Sequence, residues 1–163
     1  KQSDNLYAEA MYYQIAAASG QHPATAKSAR EAEQQLVNRL GLDASRYKFV
    51  DGSGLSLYNY VSAELEVRLL RYAYSNQFIL NHLLPALPVA GVDGTLKTRM
   101  RSAFTRSNVR AKTGTVMGVS SLCGYLTASN GHQICFSIIN QGVMHGRNGR
   151  SFQDRVCYIL CRP

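Results

Sequence analysis

The spacing of apolar residues changes near residue 105 of this 163-residue chain, and that change limits the fold more than any other feature. Before it, apolar side chains recur every three or four residues, which is typical of amphipathic helices. After it, short apolar runs resemble strands, and Asn130-Gly131 between the last two predicts a two-residue hairpin turn. Helices followed by neighbouring strands predict an α+β fold, with helices packed on an antiparallel sheet.

Capping residues and turn formers set the expected limits of the elements. Ser62, for example, is a good N-cap, and the glycine- and serine-rich stretch 41–60 indicates a structured loop. A further loop is expected over 142–149. We predict a single portion of one domain, mainly helical over 1–105, with three strands and a closing helix over 106–163. The predicted helices cover 6–19, 23–40, 62–74, a short segment ending near Pro85, a short basic segment near 95–103, and 152–161; the predicted strands cover 109–112, 119–128 and 132–140.

The net charge of +8 is concentrated at the carboxyl end. Residues 1–94 hold eight basic and nine acidic side chains, whereas residues 95–163 hold ten basic ones and Asp154 alone. This distribution is expected either for a solvated basic face or for a surface that attracts an anionic polymer. No nucleic-acid-binding signature accompanies the charge, so we predict no nucleic acid partner. No apolar stretch is long enough to span a bilayer, and we expect neither a transmembrane segment nor a signal peptide within the chain.

The four cysteines lack the C-x-x-C spacing of a zinc site, and we predict neither a metal nor another cofactor. Small buried apolar side chains are the commonest role for such cysteines. A disulfide between sheet and helix stays open as an alternative in an oxidising compartment. The residues concerned are Cys123, Cys135, Cys157 and Cys161.

The motif Lys112-Thr113-Gly114-Thr115 lies where a strand is predicted. Its lysine fixes a positive charge at which an anionic end of a substrate can dock. The two threonines occupy alternate positions, so both hydroxyls point to one side of an extended strand and can donate to one carboxylate. Gly114 lets a ligand approach the backbone, and N–H groups at a strand edge can stabilise an oxyanion. An ordinary exit from a strand is the alternative for a lone K-T-G.

A second motif, Ser3-Asp4-Asn5, precedes the first predicted helix. Alone it would be explained by N-capping, for which serine and asparagine are common. Together with K-T-G, more than a hundred residues later, it favours catalysis, with the two motifs as the walls of one cleft. S-D-N and K-T-G occur together in penicillin-binding proteins and β-lactamases, where a third motif, S-x-x-K, carries the nucleophile. We expect that nucleophile to lie outside this chain.

The whole chain resembles the C-terminal part of class C low-molecular-weight penicillin-binding proteins, which are serine-lysine D-alanyl-D-alanine carboxypeptidases and endopeptidases. The resemblance implies a β-lactamase/transpeptidase-like fold that lacks here its N-terminal strands and its S-x-x-K helix. We expect the loop motifs outside S-D-N and K-T-G to shape turns. The matching strings are Ser3-Asp4-Asn5, Asp51-Gly52-Ser53-Gly54-Leu55-Ser56 with Asn59, Leu84-Pro85, 87–96 and Arg110-Ala111-Lys112-Thr113-Gly114-Thr115.

The resemblance also implies a role for each motif residue. Ser3 would relay a proton between the nucleophile and the leaving amine, and Asn5 would hold the peptide carbonyl and help to position the nucleophile's lysine. Lys112 would supply positive charge across the cleft. Thr113 and Thr115 would bind the terminal carboxylate, and the Thr115 N–H would form half of the oxyanion hole.

The implied reaction is acyl transfer, in which a serine attacks the D-Ala-D-Ala amide of a peptidoglycan stem peptide and the acyl-enzyme is then resolved. β-Lactams would acylate the same serine, and a periplasmic or other extracytoplasmic location is expected. Two alternatives are a β-lactamase-type hydrolase and a non-catalytic module that binds acyl-D-Ala-D-Ala. We expect the 163-residue chain alone to be inactive. We also expect either self-association through an exposed edge of the 132–140 strand or partial disorder of residues 1–5.

Overall fold

The structure, a computed structural model, describes residues 1–20 and 22–163. The prediction of an α+β fold with helices and an antiparallel sheet is confirmed. By its contacts the chain divides into two compact units, residues 3–65 and residues 1–2 with 66–163. The elements are α1 (Asn5–Ala18), α2 (Ala26–Arg39), α3 (Ala63–Ser75), α4 (Gln77–Ala86), β1 (Arg110–Val116), β2 (Val119–Thr127), β3 (Gln133–Gln141) and α5 (Gly146–Cys161), with short 3-10 turns at Ala44–Arg46 and Gly94–Leu96.

The smaller unit, residues 3–65, is built on α1 and α2. Thr25 caps α2 through a capping box, since its hydroxyl accepts from the Ser28 N–H and the Ser28 hydroxyl accepts from the Thr25 N–H. Tyr12 and Ala16 of α1 are buried against Ala29 of α2. A second buried cluster joins the end of α2 to the following loop and contains Val37, Ala44, Tyr47 and Leu65.

The larger unit is a three-stranded antiparallel sheet, in the order β1-β2-β3, with helices on it. Alternate residues of β2 point to opposite faces of the sheet and are buried in different hydrophobic clusters. Leu122 and Leu126 are buried with Cys157 of α5. Tyr125 is buried with Leu70 of α3, whose carbonyl oxygen accepts a hydrogen bond of 2.7 Å from the tyrosine hydroxyl. Burial by two sets of helices fixes the register of the sheet, because a shift of one residue would exchange the two faces.

The hairpin between β2 and β3 differs from the predicted two-residue turn. The Ala128 N–H donates to the His132 carbonyl oxygen and the Gly131 N–H to the Ala128 carbonyl oxygen, each at 2.9 Å. Gly131 has a φ of 84°, whereas Asn130 has no positive φ. A two-residue type I′ turn needs positive φ at both central residues, so the loop instead has three residues with glycine at its left-handed position. The predicted turn type is therefore wrong, although the hairpin itself is confirmed.

Two further predictions about helices are wrong. The basic helix near 95–103 is only the short 3-10 turn Gly94–Leu96, and Met100 beyond it has a left-handed φ of 52°. The predicted loop over 142–149 is longer than the observed one, because α5 begins at Gly146. Gly149 lies inside α5, where a Cβ would come within 2.8 Å of the Ser120 Cβ. Its glycine therefore allows close packing of helix on sheet and does not mark a loop.

The remaining helices begin and end within a few residues of their predicted limits. Ser62 caps α3 as expected, its hydroxyl oxygen accepting from the Leu65 N–H at 3.1 Å. Across residues 1–20 and 22–163, no helix combines the length and the apolar character that crossing a membrane requires.

Candidate active site

Strand β1 carries the K-T-G motif and pairs along one edge with β2. Along its other edge the Ala111 N–H donates to the Pro88 carbonyl oxygen at 3.0 Å, and the Ala90 N–H donates to the Val109 carbonyl oxygen at 2.9 Å. Backbone groups of a strand point to alternate edges. Thr113 and Thr115 therefore direct their N–H and C=O groups to this second edge, beyond the segment that residues 88–90 cover.

The hydroxyls of the two threonines differ in their surroundings. Thr113 Oγ1 donates to Thr95 Oγ1 at 2.9 Å, whereas Thr115 is exposed to solvent. Thr95 lies in the Gly94–Leu96 turn and is a residue of the site that the sequence did not reveal. Its only signal in the sequence was its place beside Asp93-Gly94 in the string 87–96, one of those that carry the resemblance. Thr95 thus orients Thr113, and Thr115 presents its hydroxyl to solvent.

Asp93 holds the loop that carries Thr95. Its Oδ1 accepts from the Val89 N–H at 2.8 Å, and its other oxygen forms an ion pair with Lys1. The Lys1 hydrogen bond, followed by the Val89 N–H, lowers the pKa of the Asp93 carboxyl. A Cβ at Gly94 would come within 2.7 Å of the Lys1 carbonyl oxygen. Asp93 and Gly94 therefore shape the turn, as their sequence suggested.

Lys112 remains in contact with solvent, and its ammonium nitrogen donates to the Thr113 carbonyl oxygen at 2.7 Å. Loss of hydration among the surrounding protein atoms lowers the pKa of Lys112, an effect that Cys123 partly opposes. The ammonium therefore lies against a carbonyl that points to the second edge of β1. This position puts positive charge beside the backbone groups of the K-T-G motif.

Lys112 also begins a row of side chains across the sheet. Cys123 of β2 is its cross-strand partner, and Ser137 of β3 is the partner of Cys123, so the three lie side by side on one face. Ser137 Oγ donates to the Glu66 carboxylate of α3 at 2.6 Å. Burial, with the charge of Glu66, raises the pKa of the Cys123 thiol to about 12. Cys123 is therefore an inert thiol, and Glu66 is a polar anchor that no sequence motif announced.

The glycine of K-T-G has a structural role as well as the proposed functional one. Gly114 is paired with Ser121 of β2, and a Cβ at Gly114 would overlap with the Ser121 hydroxyl oxygen. Gly124 of β2 is more tightly enclosed, because a Cβ there would overlap with the Arg110 carbonyl oxygen and lie 2.6 Å from the Ala111 Cα. The hydroxyl of Ser121 can rotate away, whereas the β1 backbone cannot.

The Ser3-Asp4-Asn5 motif starts α1, in the smaller unit. Asp4 is the N-cap, and its side chain accepts from the Tyr7 N–H at 3.1 Å. Capping therefore accounts for the middle residue of the motif, and the alternative that Ser3 and Asn5 are present as caps is wrong. Ser3 has a φ of 58°, a left-handed conformation that is uncommon for serine. Backbone strain of this kind tends to accompany functional positions.

The Asp51-Gly52-Ser53-Gly54-Leu55-Ser56 string forms a tight loop. The Asp51 carboxylate accepts from the Gly54 N–H and the Ser56 N–H at 2.7 Å and from Asn59 Nδ2 at 2.9 Å. Burial alone would raise the pKa of Asp51, but the bonds from Asn59 and the two N–H groups outweigh it and lower that pKa. Three hydrogen bonds therefore converge on one carboxylate, which holds the loop in shape.

The same loop braces α1. Glu9, one turn beyond Asn5, accepts from the Ser53 N–H at 2.9 Å and from the Gly52 N–H at 3.3 Å. These hydrogen bonds, above all those from Ser53, lower the pKa of Glu9. At Gly52 a Cβ would lie 2.6 Å from the Tyr12 Cβ. The loop is therefore locked to the helix that begins with the S-D-N motif.

One serine-lysine pair in the chain does match S-x-x-K, namely Ser45 and Lys48. Ser45 lies in the 3-10 turn Ala44–Arg46, where its hydroxyl donates to Asp43 at 2.7 Å. Tyr47 is extended, and Lys48 pairs through its backbone with Tyr60. The match therefore spans a turn and an extended segment, so the serine and lysine do not share one face of a helix. We do not assign it as the nucleophile motif.

Within the part of the chain that the structure describes, no three histidine, cysteine, aspartate or glutamate side chains converge as ligands for a metal ion. The four cysteines are free thiols, with Cys157 and Cys161 buried in α5 and Cys123 and Cys135 half-buried in the sheet.

The fold matches that of part of penicillin-binding protein 4. The chain aligns over its full length with crystal structures of penicillin-binding protein 4 from Haemophilus influenzae, at 29% identity, with a TM-score of 0.86 for a complex with a β-lactam. That alignment covers 40% of the Haemophilus chain. A predatory endopeptidase of Bdellovibrio bacteriovorus, with an immunity protein, has the same fold at 22% identity and a TM-score of 0.69.

Residues 1–161 match the model of the D-Ala-D-Ala carboxypeptidase 3 (S13) family, and the chain belongs to that family. The resemblance predicted from the motifs is therefore confirmed. A D-alanyl-D-alanine carboxypeptidase of Haemophilus influenzae is 33% identical over 83% of the chain, and a carboxypeptidase of Mycobacterium tuberculosis is 35% identical over 97%. The chain spans 29% and 35% of the lengths of these two relatives.

Proposed function

We propose that the protein carrying this chain is a serine D-Ala-D-Ala carboxypeptidase or endopeptidase that processes peptidoglycan outside the cytoplasm. The observation that supports this most strongly is the second edge of β1. An ammonium group, an exposed hydroxyl and outward-pointing backbone N–H groups occur there within four residues, in a chain of the S13 family. Those groups suit a substrate that ends in a carboxylate and forms an oxyanion during acyl transfer.

On β1, Lys112 supplies positive charge in the substrate cleft, and Thr113 and Thr115 bind the terminal carboxylate. Thr115 donates directly from its exposed hydroxyl. Thr113 first exchanges its bond to Thr95 for one to the substrate, so Thr95 acts as a positioning residue. Gly114 leaves room for the substrate against the strand, and the Thr115 N–H contributes half of the oxyanion hole.

At the start of α1, Ser3 relays a proton between the nucleophile and the leaving amine. Asn5 holds the peptide carbonyl of the substrate and helps to position the nucleophile's lysine. The capping bond of Asp4 and the hydrogen bonds from the 52–53 backbone to Glu9 support these roles, because they fix the first turns of the helix that begins at Asn5, two residues after Ser3. A fixed side chain loses little entropy when the substrate binds.

The reaction proceeds through an acyl-enzyme on a serine that we place outside residues 1–163. The serine oxygen attacks the amide carbonyl, the C–N bond breaks, the terminal D-alanine leaves with the relayed proton, and water or an amine resolves the ester. Loss of the nucleophile from a catalytic serine set costs roughly a million-fold in turnover. The 163-residue chain by itself is therefore inactive.

Release of D-alanine from a peptide ending in D-Ala-D-Ala tests this assignment on the full-length protein. We expect Lys112→Ala and Ser3→Ala to lower kcat/KM by about a hundred-fold or more, the usual range for a group that handles protons or charge in the transition state. Lys97→Ala is the matched control, because it removes an exposed lysine just beyond the Gly94–Leu96 turn. An unchanged kcat/KM in both site variants would overturn the proposal.

A further inference from the structure

A shallow surface depression of about 440 Å³, open to solvent, lies in the larger unit between α5 and the segment 99–105. We call it the arginine cavity. Its floor includes Thr105, which is almost fully buried and donates to the Met100 carbonyl oxygen at 2.8 Å. Ser102, also in the lining, shares a hydrogen bond of 2.8 Å with Thr105. The cavity belongs to none of the roles assigned above. Its lining contains five arginines, Arg99, Arg101, Arg147, Arg150 and Arg155.

Only one of these arginines is neutralised. Arg99 donates to Asp154 from Nε at 3.0 Å and from a terminal nitrogen at 2.6 Å, and it also donates to Gln153 at 3.0 Å. Gln153 is fully buried and is fixed in turn by Ser120 and Asn140. Among the described residues that line the cavity, Asp154 is the only acid. Arg99 and Asp154 are therefore held in fixed positions at one side of the cavity, and their charges cancel.

The other four guanidinium groups are exposed around the same opening, and no ion pair to any of them occurs in residues 1–20 and 22–163. Three of them, Arg147, Arg150 and Arg155, lie on α5. Arg147 and Arg150 are three residues apart and are neighbours on the helix surface, so their like charges repel each other, and a bound anion would relieve that repulsion. Ser151 of the same helix also lines the cavity.

The first turn of α5 adds to the positive potential. Its N-cap, His145, makes no side-chain capping bond, and Arg147 and Arg150 lie in the first two turns. Helix N-termini favour negative charge, and guanidinium groups bind phosphate oxygens through paired hydrogen bonds. Four uncompensated cations exceed the single charge of a carboxylate and suit a doubly charged phosphate group better.

We propose that the arginine cavity binds a phosphate ester, such as a sugar phosphate. The depression is open to solvent, and its volume of about 440 Å³ leaves room for an organic group beside the phosphate. Tyr158 contributes an aromatic side to the lining, stacked edge-on against Phe104 at 5.8 Å. The proposal does not depend on the peptidase function.

Isothermal titration of the full-length protein with glucose 6-phosphate tests the proposal at low ionic strength and at 150 mM salt. We expect saturable binding that weakens as salt is added, because the contact is between charges. Glucuronic acid, which carries a carboxylate, and inorganic phosphate serve as the comparison ligands. We expect each to bind at least about tenfold more weakly than the ester.

Two paired variants separate the cavity from net charge. Arg147→Gln with Arg150→Gln removes two cavity cations and should weaken glucose 6-phosphate binding by about tenfold or more. Arg106→Gln with Arg162→Gln removes the same charge outside the lining and should change binding by less than about twofold. All four residues are exposed, and equal melting temperatures will confirm that both variants fold.

Three results would overturn the proposal. One is the absence of saturable binding of glucose 6-phosphate by the wild-type protein. Another is an equal loss of binding in the two paired variants, which would assign the effect to net charge. The third is binding of glucuronic acid or inorganic phosphate as tight as that of the ester, which would show that the cavity does not select a phosphate ester.

Discussion

Gly114 and Gly124 lie in neighbouring strands of the sheet, and their surroundings predict different outcomes for the same substitution. We expect Gly124→Ala to lower the free energy of unfolding by about 2–4 kcal/mol, because the new Cβ meets the backbone of Arg110 and Ala111, which cannot move away. Gly114→Ala should cost less than about 1 kcal/mol, because the Ser121 hydroxyl can rotate. Urea unfolding of the two variants measures the difference, and equal losses would contradict it.

Gly114→Ala has a second use in the full-length protein. Since its effect on stability is small, a large loss of kcat/KM on a D-Ala-D-Ala peptide would report the close approach of substrate to the strand. An unchanged kcat/KM would leave Gly114 with a packing role alone.

The burial of Glu33 should make the free energy of unfolding depend on pH. One of its oxygens is buried without a hydrogen-bond partner among the described residues, and this burial, opposed by Arg30, raises the pKa of Glu33 to about 7. The folded state therefore holds a proton that the unfolded state releases near pH 4.5. Stability should be greatest below that value and should fall as pH rises towards 7, by about 1–2 kcal/mol when solvent screening is allowed for.

Glu33→Gln should remove this fall, since glutamine cannot ionise. Unfolding midpoints at pH 5 and pH 8 give the comparison for wild type and variant. Glu31→Gln, at an exposed position on the same helix that is paired only loosely with Lys27, is the matched control and should keep the wild-type fall. A fall that persists in Glu33→Gln would show that another group causes it.

At the scale of elements, the Asp51 loop supports α1, and its carboxylate is the centre of that support. Asp51→Asn keeps the shape but loses charge and part of the accepting capacity, and should lower the free energy of unfolding by about 1–3 kcal/mol at pH 7. Because the pKa of Asp51 is lowered in the folded state, its contribution is present above about pH 4 and is lost as pH falls further. Urea unfolding should show a larger difference between wild type and variant at pH 7 than at pH 3.

Asp43→Asn is a suitable control for Asp51→Asn, since Asp43 caps only the short 3-10 turn and is exposed. A larger loss in Asp43→Asn than in Asp51→Asn would contradict the assigned role.

Periodicity and capping predicted the order and type of most elements, because apolar spacing and caps such as Ser62 are local properties. Errors arose where contacts distant in sequence decide the structure. Gly149 resembled a loop residue, yet it lies inside α5 because Ser120 packs against it. The Asn130-Gly131 signal predicted the hairpin, but its three-residue loop follows from the way that β2 and β3 pair.

The site was predictable to the extent that a motif carries it. The K-T-G and S-D-N motifs pointed to the residues proposed for substrate binding and proton transfer. Thr95 and Glu66 could not be found in this way, because neither belongs to a chemical motif. The fold alone brings Thr95 to Thr113 of β1 and Glu66 to Ser137 of β3. The S-x-x-K match at Ser45 shows the opposite error, since the pattern is present without the helix that gives it meaning.

At the scale of the whole molecule, β3 is the edge of the sheet, paired with β2 among the described residues. Exposed strand edges tend to pair with other chains. We therefore keep the prediction that the 163-residue chain self-associates as its concentration rises, as measured by light scattering. Ile139→Lys, which puts a charge on the edge strand, should shift the population towards monomer. Wild-type chain that remains monomeric at all concentrations would contradict this.

The most direct test of the central claim is the site at which a fluorescent penicillin attaches. We predict that the full-length protein is labelled at one serine outside residues 1–163, that Lys112→Ala slows this labelling, and that Ser45→Ala does not. Mass spectrometry of the labelled peptide identifies the serine, and the isolated 163-residue chain should take up no label. Covalent label on Ser45, or on any other residue of this chain, would contradict the account.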